Sequence, residues 1–264
     1  MDNTFSSEVQ EGTTQKDLYD TIIRLLSNGH AVVYAVEGDV NKTVVKISKI
    51  ETAAEDYIES GALKIINPDS FYSASKRGID CDKLIAQWQT VVSSMQSKGY
   101  KSILVVGMPA RNLFAESKSQ LKIVETEACI AKMQGVNIRI FCCYPKSMVD
   151  KLPFRYLVRL LNSHQDFTSN AGPSQVLLST GGSSQLDVMS LIESSLTTVL
   201  GGETCRLVLK TMKLVYKLDQ KDIVGSPELF EEKVRKLFGM SGDAILKMLT
   251  STIVEMIAGD QAPI

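Results

Sequence analysis

Gly29-His30-Ala31-Val32-Val33-Tyr34-Ala35-Val36 is the stretch whose reading decides the fold. The glycine stops what precedes it, and six apolar residues then run unbroken, as in a strand covered on both faces. Just upstream, Leu18, Ile22, Ile23, Leu25 and Leu26 recur at helical spacing. Downstream, a helix over about residues 41–59 leads through Gly61 to a second strand, Ala62-Leu63-Lys64-Ile65-Ile66. The alternation then repeats. Asp80 caps a helix carrying Leu84, Ile85, Trp88, Val91, Val92 and Met95, which stops at Gly99 before the strand Ser102-Ile103-Leu104-Val105-Val106. Helices over 117–133 and 148–163 flank a fourth strand at 136–143, and a fifth follows at 175–179. Five strands separated by helices predict an α/β fold, an open and mostly parallel sheet with helices on both faces.

Gly181-Gly182-Ser183-Ser184 ends the alternation, and beyond it only helices are expected, over 185–200, 203–218, 227–238 and 242–258. Ser226-Pro227-Glu228 is a strong helix start, with a capping serine, a first-turn proline and an acid near the positive helix end. The chain therefore divides into a flexible tail (1–15), an α/β domain (16–180), a linker (181–184) and a helical domain (185–264).

Composition narrows the function classes. The 264 residues carry 29 Lys+Arg and 30 Asp+Glu, and 44% are hydrophobic, which describes an ordinary globular chain without a global grip on nucleic acid or anionic membrane. Residues 185–264 hold nine Lys+Arg against eleven Asp+Glu, so no basic module hides in the balanced total. Phe167–Leu186 is uncharged but rich in Ser and Gly, and it does not read as a membrane span. Two His and five Cys without a C-x-x-C offer little for a metal site, and the thiols read as buried and free in a cytoplasmic protein.

Open parallel sheets bind ligands beyond the carboxyl ends of their strands. Those ends are Glu37-Gly38-Asp39, Asn67-Pro68-Asp69, Gly107-Met108-Pro109-Ala110-Arg111 and Tyr144-Pro145-Lys146. Here Glu37, Lys42, Thr43 and Arg111 are candidate ligand-binding residues. Val36-Glu37-Gly38-Asp39-Val40-Asn41-Lys42-Thr43 ends like a phosphate-binding loop, yet both required glycines are missing and two acids face the place a phosphate would take. The strand 103–106 also lacks the acid that would hold magnesium. A nucleotide hydrolase is thus the minor reading. His30 and His164 read as structural, and Glu125 and Glu127, two apart on a helix, point in different directions. Arg206, Lys210, Lys213 and Lys217 form a basic stripe on one helix face, a solvated face or a partner or nucleic-acid contact.

Gly61–Ile66, Gly99–Gly107, Val124-Glu125-Thr126-Glu127-Ala128, Phe141-Cys142-Cys143-Tyr144 and Leu157–His164 resemble, in order and spacing, the methanogen/methylotroph DcmR sensory (MEDS) domain, a relative of the RecA/KaiC-like fold. The resemblance covers about residues 16–180. It implies sensing of small molecules, hydrocarbon derivatives among them, with Glu127, Tyr144 and His164 at landmark positions. Met108-Pro109 departs from it, since an acidic residue often follows that glycine in the family. Ser226–Glu232, Leu237-Phe238-Gly239 and Ala244-Ile245-Leu246 resemble a helical output domain of archaeal signalling proteins. Together they imply a one-component signal-transduction protein. It binds an unidentified small molecule, needs no cofactor, and signals through a protein partner or a second copy at its helical domain.

Overall fold

The computed structural model describes residues 18–36, 38–67, 71, 80–107, 119–132, 138–164, 166–168, 175–180 and 187–258. The expected tail (1–15) and linker (181–184) lie outside the described residues. In chain order the elements are α1 (18–27), β1 (Ala31–Ala35), α2 (Val40–Ile50), α3 (Ala53–Ser60), β2 (Leu63–Ile66), α4 (Cys81–Gln96) and β3 (Ile103–Gly107). They continue with α5 (Ser119–Ile130), β4 (Ile138–Pro145), α6 (Lys146–Val149), α7 (Phe154–Asn162), β5 (Asp166–Thr168) and β6 (Gln175–Thr180). The C-terminal helices are α8 (Val188–Leu200), α9 (Gly202–Leu214), α10 (Gln220–Gly225), α11 (Pro227–Phe238) and α12 (Gly242–Ala258).

The sheet runs β2-β1-β3-β4-β6-β5. Four strands, β2, β1, β3 and β4, are parallel, while β6 pairs antiparallel with both β4 and β5. The sheet has six described strands where five were expected; the addition is β5, three residues at the start of the uncharged stretch, Asp166 just before it. All of Ala31–Ala35 are buried, as a strand covered on both faces requires. Gly29 and Gly99 adopt φ of 82° and 95°, the left-handed turn that lets each helix stop and the chain enter a strand. The helix expected over 41–59 breaks at Glu51-Thr52, and the one over 148–163 breaks before Pro153, which starts α7 because proline has no N–H to give a preceding turn.

Alternate residues of each strand feed two cores. On one face Val32, Tyr34, Val36, Val106 and Cys143 meet Leu18, Tyr19 and Ile22 of α1 and Ile47 of α2. On the other, Val33, Val105, Cys142 and Tyr144 meet Trp88 of α4, Ile123 of α5 and Leu157 of α7. That second core continues without interruption into Ile192, Met212, Phe230, Leu249 and Ile253 of the C-terminal helices. Among the described residues, 188–258 hold helices and no strand, as expected, but their apolar face shares its core with the sheet rather than closing on itself.

Pro227–Ala258 is apolar enough, by length and composition, to raise the question of a membrane span. Ten residues of α12, among them Leu249, Ile253, Val254 and Ile257, are buried in the protein, which accounts for that hydrophobicity by packing. Gly242 permits the close seat of α12 on α11: a Cβ there would lie 2.7 Å from Arg235 Cα.

Candidate functional site

Cys142 and Tyr144, two apart on β4, project to the same face of the sheet near its carboxyl edge. Cys142 is level with Gly107, the last residue of β3, which is level with Ala35, the last of β1. Glu127 reaches this place from α5. His164 reaches it from just past α7, where its backbone N–H donates to Leu161 O at 3.0 Å.

Glu127 is the hub and is only 2% exposed. The Tyr144 hydroxyl donates to its Oε1 at 2.6 Å, and the Cys142 thiol donates to its Oε2 at 3.4 Å. His164 Nε2 lies 3.4 Å from the same Oε2, an ion-pair distance rather than a hydrogen bond, and has no other partner among the described residues. The opposite ring nitrogen, Nδ1, sits 2.7 Å from the Leu160 carbonyl, which can only accept, so Nδ1 carries a proton. Burial alone would raise the Glu127 carboxyl. The His164 contact and charge, with the Tyr144 and Cys142 donors, outweigh burial and hold it below its ordinary value. Burial, and then the Glu127 charge, push the Cys142 thiol well above the usual range. Cys143, on the opposite face, is pushed up to about 12 by burial alone.

The structure thus gathers three of the sequence candidates, Glu127, Tyr144 and His164, and adds Cys142, which stood in the quoted Phe141–Tyr144 segment, two residues before Tyr144, without being singled out. Glu37 and Arg111 lie outside the described residues. Lys42 and Thr43 belong to α2, packed over the opposite face of the sheet. There the Asp39 carboxylate accepts from the backbone N–H of Asn41 at 2.8 Å and of Lys42 at 3.3 Å. The helix-start donors that a phosphate would need already hold a carboxylate. His30 Nδ1 lies 2.8 Å from Ser102 Oγ, away from the Glu127 cluster, and exposed Glu125 points away from buried Glu127. Arg206, Lys210, Lys213 and Lys217 are all exposed, on or just past α9.

A family model described as MEDS, the methanogen/methylotroph DcmR sensory domain, matches residues 14–165, more than half of the chain. The chain belongs to the MEDS family. This is a family of sensory domains, consistent with a sensing role in signal transduction. No curated protein and no solved structure matches the chain. The MEDS match ends one residue after His164, so the whole Glu127 cluster lies inside it and β5, β6 and the C-terminal helices lie beyond it.

The MEDS part is joined to those helices through α7. Its buried side carries Phe154, Leu157, Val158, Leu160 and Leu161, while Arg155 and Arg159 sit on the other side. The Arg155 backbone N–H donates to Glu231 Oε1 at 2.9 Å, and its Nη1 donates to Glu231 Oε2 at 2.7 Å. Arg235 Nη1 lies 3.3 Å from the same oxygen. Arg159 pairs with Glu228 at 2.8 Å, and the Asn162 amide donates to the Val224 carbonyl at 2.9 Å. Sequence reasoning missed this contact, because nothing local marks Arg155 and Glu231 as partners.

Proposed function

We propose that this is a one-component signal-transduction protein in which the MEDS domain senses a small molecule at the carboxyl edge of the parallel strands and α7 passes that state to the C-terminal helices. One observation carries the reading: α7 meets the buried Glu127 cluster through His164 at one end and the buried Glu231 through Arg155 at the other. A helix of nine residues is a rod of about 14 Å, long enough to move both contacts together. A ligand changes the output only as far as it favours one arrangement of that rod over another. The output would be contact with a protein partner or a second copy. The outer side of α9 supports this, with Leu207 and Leu214, and Val215 just past it, exposed beside its basic stripe. Kinship to RecA/KaiC-like domains and to archaeal output domains, and a cytoplasmic setting, belong to the same proposal.

Hydrogen exchange in the presence of short-chain alcohols, amines and halocarbons tests it. Binding should slow exchange in residues 138–164 and in 227–238 together, and Arg155→Ala should confine the change to 138–164. A wild-type response confined to 138–164 would defeat transmission through α7. No response to any compound of the series would count against sensing of this ligand class.

The non-enzymatic reading makes a separate prediction. Magnesium ATP should leave the melting temperature unchanged, because the Asp39 carboxylate occupies the α2 start. Asp39→Ala should cost about 1 kcal/mol as a lost helix cap. A wild-type thermal shift with magnesium ATP that Lys42→Ala abolishes would revive the nucleotide hydrolase.

A further inference from the structure

We propose that Glu127, Cys142 and His164 form a binding site for a divalent transition metal of the zinc class. The three donor atoms, a carboxylate oxygen, a sulfur and an imidazole nitrogen, lie within 4.8 Å of one another and all three residues are buried. This mixed set suits zinc and its neighbours, whereas magnesium and calcium take oxygen alone.

Two of the three spacings fit as they stand, and the third, sulfur to imidazole nitrogen, lies within 4.8 Å and would close by about 1 Å around an ion. Zinc-to-ligand lengths at a tetrahedral angle place oxygen and nitrogen about 3.4 Å apart, and oxygen and sulfur about 3.6 Å apart. In the protein Glu127 Oε2 is 3.4 Å from His164 Nε2 and 3.4 Å from Cys142 Sγ.

The orphaned imidazole nitrogen is the independent sign of a ligand. With one proton on Nδ1, donated to Leu160, His164 without a second proton would turn the Nε2 lone pair towards the Glu127 carboxylate. Two acceptors facing each other in a buried site need a cation between them, either a proton or a metal. The surroundings are those of metal ligands: the Leu160 carbonyl fixes the His164 ring, and the Tyr144 hydroxyl fixes the second carboxylate oxygen. Three protein donors leave one position of a four-coordinate ion to water or to a small heteroatom-bearing molecule. The site stands apart from the sensing reading, and the two fail separately, since transmission through Arg155 and Glu231 is measured without metal.

Cobalt(II) is the probe, given to the native chain and also during refolding. One equivalent should bind, with a thiolate-to-cobalt charge-transfer band and the intense visible bands of a tetrahedral ion. C142S should abolish the charge-transfer band. H164Q and E127Q should weaken binding beyond the roughly 10–100-fold loss expected of Y144F, which removes only an orienting partner. C143S and C205S, which change the other two free thiols, should leave the band intact. X-ray absorption of the loaded wild type needs no variant to fold, and should find one sulfur and one imidazole on the metal. No uptake by wild type, a band that survives C142S, or a metal without a sulfur neighbour would each overturn the site; no uptake would leave a proton between Glu127 and His164.

Discussion

Phe230→Ala should lower the unfolding free energy of the entire chain by about 3–5 kcal/mol, the usual cost of emptying a large aromatic from a closed core. Phe230 belongs to α11 and is fully buried, and its ring centroid lies 5.4 Å from that of Phe154 in the MEDS part. The cavity would therefore open between the two halves of the molecule rather than inside either one. Trp88, the one tryptophan of the chain, reports the other side of the same core, where Phe71 meets it edge-on at 5.4 Å. Denaturant unfolding followed by Trp88 fluorescence and by helical circular dichroism should give coincident transitions, both moved to lower denaturant in Phe230→Ala. If Trp88 kept its wild-type midpoint while part of the helical signal was lost early, the C-terminal helices would be a separate domain after all.

That experiment also locates where sequence reading runs out. The runs at 31–36 and 103–106 were legible because a parallel strand buried on both faces must be apolar throughout, and the edge strand at 62–66 stayed legible although Lys64 interrupts it. The three residues of β5 carry no such run and were invisible. The absence of strands among the described residues after 187 was legible too, but a helix-only pattern does not say what the helices cover. Ile253 and Leu249 of α12 look like the core of a bundle, yet they finish the core begun by Val33 and Val105. The site was partly legible: family resemblance marked Glu127, Tyr144 and His164, and the two-residue period of β4 puts Cys142 beside Tyr144. What the residues could not say is that helix, strand and helix end converge on one carboxylate, because that depends on how α5 and α7 lie across the sheet. The Arg155–Glu231 pair is hidden for the same reason.

The cysteines make the second large prediction, and they depart from the expectation of five free thiols. Cys81 and Cys129 form a disulfide, while Cys142, Cys143 and Cys205 stay reduced and buried. Nothing in a separation of 48 residues announces that pairing; it follows from α4 and α5 lying side by side on one face of the sheet. Closing a loop of that length removes denatured-chain entropy equivalent to about 4 kcal/mol at 25 °C. Reduction of the wild type, or a C81S/C129S double substitution, should lower stability by about that amount, and reductant should have no further effect on the double variant. Alkylation of the denatured, unreduced chain should label three cysteines, and all five after reduction. Five labelled without reductant, or equal stability with and without it, would remove the crosslink from the account. The bond also bears on setting, since a reducing cytosol keeps such pairs open unless they serve as redox sensors. Cys129 lies two residues after Glu127 on α5, so opening the bond releases the helix that carries the buried carboxylate. Cobalt affinity measured on reduced and oxidised protein therefore tests whether the crosslink holds Glu127 in place for the metal: a difference between the two states ties the cysteine pair to the site, and equal affinity leaves it a structural clamp.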